Sequence, residues 1–359
     1  FMWPPSRWLW LNVASVTDGG QANQSRMQNS TGPQIRLDIR AAKQGQAMNI
    51  TLIDVDGKMP NLALMKLSAW HKARGDDVSW HDPMFSRPDK TYASKVFTFT
   101  PDYGYYPTCT IKGGTGYGVR RKIVVAGLDM EHGNCPRQGD DGKTGYAHEL
   151  DPDIEHTCPD YGLYGMGYSL GFLTRGCIRK CEECFVPEKE GEIRANADIG
   201  EFCRHRDVVL MDNNVLAHEH GLRQIEIMAR RNLRVDFNQG LDARLIDAAT
   251  ARLLAALTWL EPLRLACDDQ GMKEPLRLAV DALRGAGCTP QRYACYLLVR
   301  DVDDAHDRAE FLRGLNVDPF AQPYRDKEGT PPTQEQRDFA RWVNHKAIFK
   351  SVKWKDYKG

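Results

Sequence analysis

The chain has 359 residues, in which 48 Lys and Arg balance 48 Asp and Glu. This balance gives no bulk charge that would attract nucleic acid or an anionic membrane, so either partner would need a local basic patch. Hydrophobic residues at 42% and charged residues at 27% are ordinary for a globular protein, and no apolar run reaches the roughly 18 residues of a membrane-spanning helix, which predicts no membrane partner.

The amino-terminal segment differs in composition from the rest of the chain. It opens with Phe1, and a stretch containing Trp and Pro is followed by residues rich in Gln, Ser, Asn and Gly as far as Gln46. The prolyl pair Pro4 and Pro5 argues against a signal peptide. We expect residues 1–47 to be a disordered or non-native extension outside the fold.

Residues 48–125 have the pattern of a small, open, Rossmann-like α/β domain. The run MNITLIDVDG predicts a first strand, and apolar residues recur at helical spacing in NLALMKLSAWHKARGD. The runs KVFTFTPD (95–102) and TCTIKGG (108–114) predict two further buried strands. Residues 126–164 are rich in Gly, Asp and His and lack periodicity, which predicts a linker or insertion.

The second half of the chain alternates strand-like runs with amphipathic helical segments. The predicted strands are 168–173, 207–211, 233–237, 263–267, 293–299 and 317–321. Six such βα units predict a parallel sheet with crossover helices, curled into a partial (β/α)6 barrel over residues 165–325. A flat, doubly wound sheet is the alternative.

Three of the ten cysteines form a C-x-x-x-C-x-x-C array, Cys177, Cys181 and Cys184, just after the first of these strands. The others are scattered, which indicates a reducing, cytoplasmic compartment rather than a disulfide framework. A structural zinc site needs a fourth ligand, for which Cys158 and Cys203 are candidates. Three thiolates also suit an iron–sulfur cluster with one iron free for a small molecule, and the spacing favours the cluster.

Polar residues follow the strands at the edge where parallel barrels place their sites. After the second strand come Asp212, Asn213 and Asn214, and after the third come Asn238 and Gln239. Further polar residues along this predicted rim are Asp268, Asp269, Arg300, Asp301, Gln322 and Arg325. The repeated position predicts one site that collects thiolates, carboxylates and amides, although none of these residues identifies a substrate.

The cysteine array after a first barrel strand resembles that of the radical S-adenosylmethionine superfamily over residues 165–325. The resemblance implies a [4Fe–4S] cluster on Cys177, Cys181 and Cys184, with S-adenosylmethionine on the fourth iron. It also implies reductive cleavage of that molecule to methionine and a 5′-deoxyadenosyl radical, which acts on an unknown substrate. An external electron donor such as flavodoxin or ferredoxin would be required.

The resemblance also assigns cofactor contacts. The family places a Gly-Gly-Glu-type turn after its second strand, and here Asp212, Asn213 and Asn214 would supply oxygens for the methionine ammonium. The candidates for carboxylate, ribose and further cofactor contacts are Asn238, Gln239, Arg244 and Asp268, and strand-end capping explains Asn238 and Gln239 equally well. The family's aromatic residue before the third cysteine is replaced by Glu183, with Phe185 after that cysteine as the alternative adenine contact.

The amino-terminal domain is similar in topology to the cobalamin-binding-like domain of part of this superfamily. The Asp-x-His-x-x-Gly element that supplies a cobalt ligand is absent, because Val55, Asp56 and Gly57 follow Asp54. Cobalamin is therefore an open cofactor. A cobalamin-dependent methyltransferase or methylthiotransferase and a cobalamin-free radical enzyme are alternatives, as is a family member that has lost activity.

The carboxyl-terminal segment, 326–359, interleaves basic and aromatic residues. Thr333 and Gln336 form a capping-box pattern, which predicts a helix. The residues expected to dock it on the body are Phe339, Trp342, Val343 and Phe349. Interleaved lysines and aromatics also suit nucleic acid, so a zinc-stabilised module that binds nucleic acid is the non-enzymatic alternative, although a covering helix is favoured.

Overall fold

The structure of the protein is a computed structural model that describes residues 47–57, 59–97, 99–108, 110–117, 146–147, 150–182, 184–290, 292–325 and 330–358. The amino-terminal part contains β1 (Asn49–Asp54), α1 (Leu62–Ala73), β2 (Asp77–Trp80), β3 (Lys90–Ser94), β4 (Thr110–Gly113) and β5 (Tyr146–Ala147). The strands pair in parallel in the order β2-β1-β3-β4-β5, which is the order of flavodoxin-like sheets. Apart from residue 47, the predicted extension lies outside the described residues.

The first strand and helix form as the sequence predicts. Asn61 caps α1, because its side-chain oxygen accepts a hydrogen bond from the Leu64 backbone N–H at 3.2 Å. Its amide nitrogen donates to the Ser94 hydroxyl at the end of β3 (2.8 Å). Leu64 packs into a core with Ile50 and Leu52 of β1. The cap therefore fixes the helix start at the carboxyl edge of the sheet.

The strand predicted at KVFTFTPD, residues 95–102, is wrong, since β3 lies earlier, at Lys90–Ser94. The Asp56 carboxylate accepts hydrogen bonds from the backbone N–H groups of Val96 and Phe97. It also accepts one from the Thr100 hydroxyl at 2.7 Å. These N–H groups face a carboxylate rather than a neighbouring strand, so this stretch is a turn. The strand at TCTIKGG is confirmed as β4, and β2 is an element that the sequence did not predict.

The described end of the predicted linker packs against α1. It contains the short helix α2 (Pro152–Glu155), and Ile154 belongs to the same core as Ile50. Lys66 of α1 is 2.9 Å from the Glu155 carboxylate. Met65, Tyr161 and Leu170 form a small core that joins this segment to the second half of the chain.

The second half contains β6 (Ser169–Gly171), β7 (Thr174–Arg175), β8 (Arg194–Ala195), β9 (Asp207–Leu210), β10 (Arg234–Phe237), β11 (Thr258–Trp259), β12 (Leu263–Ala266), β13 (Tyr293–Val299) and β14 (Asp318–Pro323). The six predicted strands are confirmed as β6, β9, β10, β12, β13 and β14. Together with the short strand β11, they pair in parallel as one sheet of order β11-β10-β9-β6 and another of order β12-β13-β14. A parallel bridge between Leu241 and Leu265 lies between the two sheets.

Helices connect these parallel strands and bury one face each. They are α3 (Val186–Lys189), α4 (Ile199–Phe202), α5 (Glu219–Arg230), α6 (Ala248–Ala255), α7 (Lys273–Gly285) and α8 (Val302–Gly314). In α5, Ile225 and Met228 are fully buried, at the helical spacing the sequence predicts. The mixed α/β class with parallel sheets is therefore confirmed. Among the described helices, none is long and apolar enough to cross a membrane.

The predicted carboxyl-terminal helix is confirmed as α9 (Gln334–Asn344), followed by α10 (Lys346–Ser351). The Thr333 hydroxyl accepts from the Gln336 backbone N–H at 3.2 Å, and the Gln336 side chain accepts from the Thr333 N–H at 2.8 Å. The four aromatic and aliphatic residues expected to dock are buried: Phe339, Trp342, Val343 and Phe349. Asn344 hydrogen-bonds both backbone groups of Ala321 in the edge strand β14, so the helix also covers that edge.

Candidate functional site

The three-cysteine loop leaves β6 and is closed at its base by an antiparallel pair, β7 with β8. Gly176 begins the loop with a φ of +82°, and a Cβ there would lie 2.2 Å from the Glu192 carbonyl oxygen. Only glycine meets both conditions. The Cys177 N–H donates to the Gly191 carbonyl at 3.3 Å. The first cysteine therefore lies where the loop is most tightly constrained.

Two of the three sulfur atoms accept backbone hydrogen bonds from within the loop. The Arg179 N–H donates to Cys177 Sγ at 3.3 Å, and the Val186 N–H donates to Cys184 Sγ at 3.4 Å. Cys181 is exposed. Such N–H donors favour the thiolate form and tune the potential of an iron–sulfur cluster. The local backbone thus suits sulfur ligands.

Two of the thiols titrate above their usual range. Although Cys181 is exposed overall, partial desolvation of its thiol raises its pKa, and the nearby Cys177 raises it further while Arg244 lowers it. Burial also raises the pKa of Cys184, although the hydrogen bond from the Val186 N–H lowers it. A metal must therefore displace protons from these thiols. Within the described ranges, no three His, Cys, Asp or Glu side chains converge closely enough to hold a metal ion.

Asp212, which follows β9, anchors the start of the cysteine loop. Its carboxylate accepts from the Leu173 N–H at 3.1 Å and from both the N–H and the hydroxyl of Thr174, at 2.6 and 2.7 Å. It is fully buried, and burial raises its pKa to about 6 although these donors oppose that shift. The contacts of Asp212 therefore hold the protein backbone, whereas the sequence predicts that this carboxylate contacts the methionine ammonium.

Asn213 reaches the opposite side of the loop. Its side-chain amide donates to the Glu190 carboxylate at 2.9 Å, and that carboxylate also accepts from the Gly176 N–H at 2.9 Å. Arg175 pairs with Glu190 at 3.0 Å. Glu190 therefore joins the two ends of the loop to the β9 edge.

Asn214 is the residue of this turn that contacts a cysteine. Its amide nitrogen donates to Cys177 Sγ at 3.5 Å and to the Asp242 carboxylate at 3.3 Å. Its amide oxygen is buried and has no hydrogen-bond partner among the residues that the structure describes. A buried carbonyl left unpaired is costly. This oxygen can accept a hydrogen bond from an ammonium, an amide or a water molecule.

Arg244 is already paired, whereas it was predicted to meet a cofactor carboxylate. It binds Asp242 at 2.7 Å, and Arg179 of the cysteine loop binds the same carboxylate at 2.9 Å. Burial raises the pKa of Asp242, but the bonds to the two arginines outweigh burial and leave it below its usual range. The Arg244 guanidinium supplies positive charge beside Cys181.

The remaining candidates surround the site at different depths. Asn238 is buried, and its backbone carbonyl accepts from the Tyr296 hydroxyl at 3.1 Å, while Gln239 beside it is half-buried. Asp268 accepts from the Leu298 N–H at 3.2 Å, and burial raises its pKa to about 6. Phe185 is half-buried at the start of α3, and Glu183 lies outside the described residues.

Cys158 and Cys203, weighed as fourth zinc ligands, lie at the other end of β6. Cys203 Sγ donates to the His205 carbonyl at 3.3 Å, and the His205 N–H donates to the Ser169 hydroxyl at 3.0 Å, where β6 begins. Cys158 lies in electrostatic range of Cys203 and of Arg204. The three-cysteine loop follows the opposite, carboxyl end of this strand.

Sequence reasoning missed two residues that organise the site, Asp242 and Glu190. Asp242 lies beyond Asn238 and Gln239 in the same loop, so following that polar run further would have found it. Glu190 carries no such signal, because its position across the loop depends on the pairing of β7 with β8.

Comparison of the sequence with known proteins gave no match, either to a protein-family model or to a curated protein.

Proposed function

We propose that the chain is a radical S-adenosylmethionine enzyme in which Cys177, Cys181 and Cys184 hold a [4Fe–4S] cluster. The observation that carries the proposal is one loop with three thiols at the carboxyl end of the first of six parallel strands, with backbone N–H groups donating to two sulfurs. When bound, such a cluster supplies one electron for reductive cleavage of the sulfonium. The electron would come from an external donor such as flavodoxin or ferredoxin.

The residues around the loop suit this role. The unpaired oxygen of Asn214 can accept from the methionine ammonium, close to the sulfur of Cys177. Arg179 and Arg244, both fixed by Asp242, offset the negative charge of three thiolates. Asn238, Gln239 and the other residues proposed as cofactor contacts surround the same edge.

The proposal also includes a partial barrel in the second half of the chain and a Rossmann-like domain in the first. Six parallel strands in chain order, connected by helices, support a partial (β/α)6 barrel. The strand order of the amino-terminal sheet supports a Rossmann-like, cobalamin-binding-like domain. The proposal includes a cytoplasmic location, and its alternative form is a cobalamin-dependent methyltransferase or methylthiotransferase.

The proposal is tested by anaerobic reconstitution with iron and sulfide, addition of S-adenosylmethionine and dithionite, and assay of 5′-deoxyadenosine. We expect product from the wild-type chain and none from Cys181→Ala. Cys158→Ala is the matched control, because this thiol lies outside the loop, and it should keep the activity. Equal activity of wild type and Cys181→Ala, or no product from a chain that carries a complete cluster, would contradict the proposal.

A zinc-stabilised nucleic-acid module is supported less well. Cys158 and Cys203 lie at the other end of β6 from the loop, which disfavours both as fourth ligands. Of the tail aromatics interleaved with lysines, Phe349 is buried, and Trp354 and Tyr357 are partly buried against the hydrophobic core, which leaves less of their rings free to stack on bases. One zinc per chain with no iron after reconstitution would restore this alternative.

A further inference from the structure

A cavity of about 390 Å³ opens at the carboxyl ends of β1 and β2, in the amino-terminal sheet rather than in the three-cysteine site. Its lining residues combine aromatic rings with two titratable side chains: Trp80, Tyr103, Tyr164, Asp54 and His81. A volume of roughly 300–1,000 Å³ is typical of small-molecule sites. The carboxyl edge of an open parallel sheet is also where such folds bind ligands.

His81 is the polar group in this cavity that lacks a partner. Both of its ring nitrogens are buried without a hydrogen bond to any residue that the structure describes. Its backbone N–H donates to the Leu52 carbonyl at 2.9 Å, which holds the residue at the end of β2. An imidazole has a donor or an acceptor at each nitrogen. A molecule in the cavity can supply the missing hydrogen bond.

Asp54 makes the cavity unfavourable for anions. Its carboxylate accepts from the Tyr164 hydroxyl at 2.7 Å and from the Gly57 N–H at 3.1 Å. Burial raises its pKa, and the neighbouring Asp56 adds to that shift. Each carboxylate oxygen keeps a further lone pair for a ligand hydroxyl or amino group. Asp54 is the acidic residue among the described residues that line the cavity, and no Lys or Arg is among them, which disfavours a phosphate.

The aromatic residues provide flat apolar walls. Trp80 packs edge-on against Tyr164, with ring centroids 5.1 Å apart, and it keeps 40% of its surface exposed. Tyr103 lies edge-on to His81 at 6.4 Å. An aromatic face that is free on one side binds a planar heterocycle by stacking.

We propose that this cavity binds an uncharged nucleoside. The base would lie against Trp80 and hydrogen-bond to His81, and a sugar hydroxyl would donate to Asp54. The inference does not depend on the proposed cluster, since the cavity lies on a different sheet and uses none of the cysteines.

The test is isothermal titration of the full-length chain with adenosine, guanosine, cytidine and uridine. We expect one of the four to bind at one site per chain, and its 5′-monophosphate to bind more weakly. His81→Ala and Trp80→Ala should each weaken binding about tenfold or more, the loss of about one hydrogen bond or one stacking contact. His156→Ala is the control, because this histidine lies outside the cavity and its side chain is about half exposed.

Trp80→Ala decides the outcome if His81→Ala does not fold, because Trp80 is partly exposed and its removal should leave thermal unfolding close to wild type. No binding of any of the four nucleosides at millimolar concentration would overturn the proposal. Binding that neither variant weakens would overturn it as well. Cys181→Ala should bind the nucleoside as wild type does, which separates this result from failure of the cluster proposal.

Discussion

The carboxyl edges of the two parallel sheet regions carry different chemistry. Beside the three-cysteine loop, the charged groups pair with one another, as Asp242 does with Arg179 and Arg244. At the edge of β1 and β2, His81 is unpaired among the described residues and borders an open cavity. One edge has its charges arranged around sulfur atoms, and the other has an aromatic-walled space. The same edge position therefore supports two separate binding proposals.

The contrast extends to how each edge is held. The cysteine loop is fixed by two buried carboxylates, Asp212 and Glu190, and also by backbone geometry, because Gly176 tolerates no side chain. The amino-terminal edge is fixed by side chains, through the Asp56 carboxylate and the Asn61 cap. Substitutions should consequently damage the first edge through strain as well as lost hydrogen bonds, and the second through lost hydrogen bonds.

The largest effect is expected from Gly176→Ala. Its Cβ would lie 2.2 Å from the Glu192 carbonyl at a φ of +82°, so the loop must move or the chain must carry the strain. We expect a loss of about 3 kcal/mol in the free energy of unfolding, measured by urea denaturation. Gly200→Ala is the control, since a Cβ at that position would meet nothing within 4 Å, and it should change stability by less than about 1 kcal/mol. Equal effects would show that the loop is not constrained as described.

The second prediction concerns His71, which is buried beneath the amino-terminal sheet. Its ring nitrogens contact Asp76 at 2.6 Å and the Tyr92 hydroxyl at 3.0 Å. His71→Leu removes both hydrogen bonds, and we expect a loss of about 2 kcal/mol in the free energy of unfolding at pH 7. Denaturation of wild type and variant at both pH 7 and pH 5 measures the difference.

The pH dependence of this pair has a definite sign. Burial lowers the pKa of His71, against the opposing effect of Asp76. As the pH falls through about 6.5, the unfolded chain therefore takes up a proton before the folded protein does, and wild-type stability decreases. His71→Leu lacks this titrating group and its stability does not decrease in this way. The difference in unfolding free energy between wild type and variant should therefore be smaller at pH 5 than at pH 7. A larger difference in unfolding free energy at pH 5 than at pH 7 would show that the folded protein favours the charged imidazole.

The smallest effect is expected from Tyr164→Phe, which removes the 2.7 Å hydrogen bond to Asp54. We expect a loss of about 1 kcal/mol, typical of one hydrogen bond, and a further rise in the pKa of Asp54, because Tyr164 now lowers it. Thermal unfolding measures the first effect, and nuclear magnetic resonance titration measures the second. Tyr105→Phe, at an exposed tyrosine, should change neither.

The sequence predicted the second half better than the first. Its strands are apolar runs separated by helices with one apolar face, such as Ile225 and Met228 in α5, and this periodicity reflects burial directly. KVFTFTPD alternates like a strand, yet Asp56, some 40 residues earlier, takes its backbone donors. A contact at that distance along the chain leaves no local pattern.

The candidate site was predicted in part for the same reason. The cysteine spacing and the polar residues after each strand are local signals, and they placed Cys177 and Asn214 at one edge, where they now touch. Contacts between residues that are distant in sequence decide which of these polar residues hold the loop in place. Asp212 anchors the loop and Arg244 pairs with Asp242, and neither partnership could be read from spacing.

The most direct test of the central claim is the iron and acid-labile sulfide content of the chain after anaerobic reconstitution. The account predicts about four of each per wild-type chain, and close to none in Cys177→Ala, Cys181→Ala and Cys184→Ala, with wild-type content in Cys158→Ala. Iron that remains bound when any of the three cysteines is replaced, or a wild-type chain that takes up no iron, would contradict it.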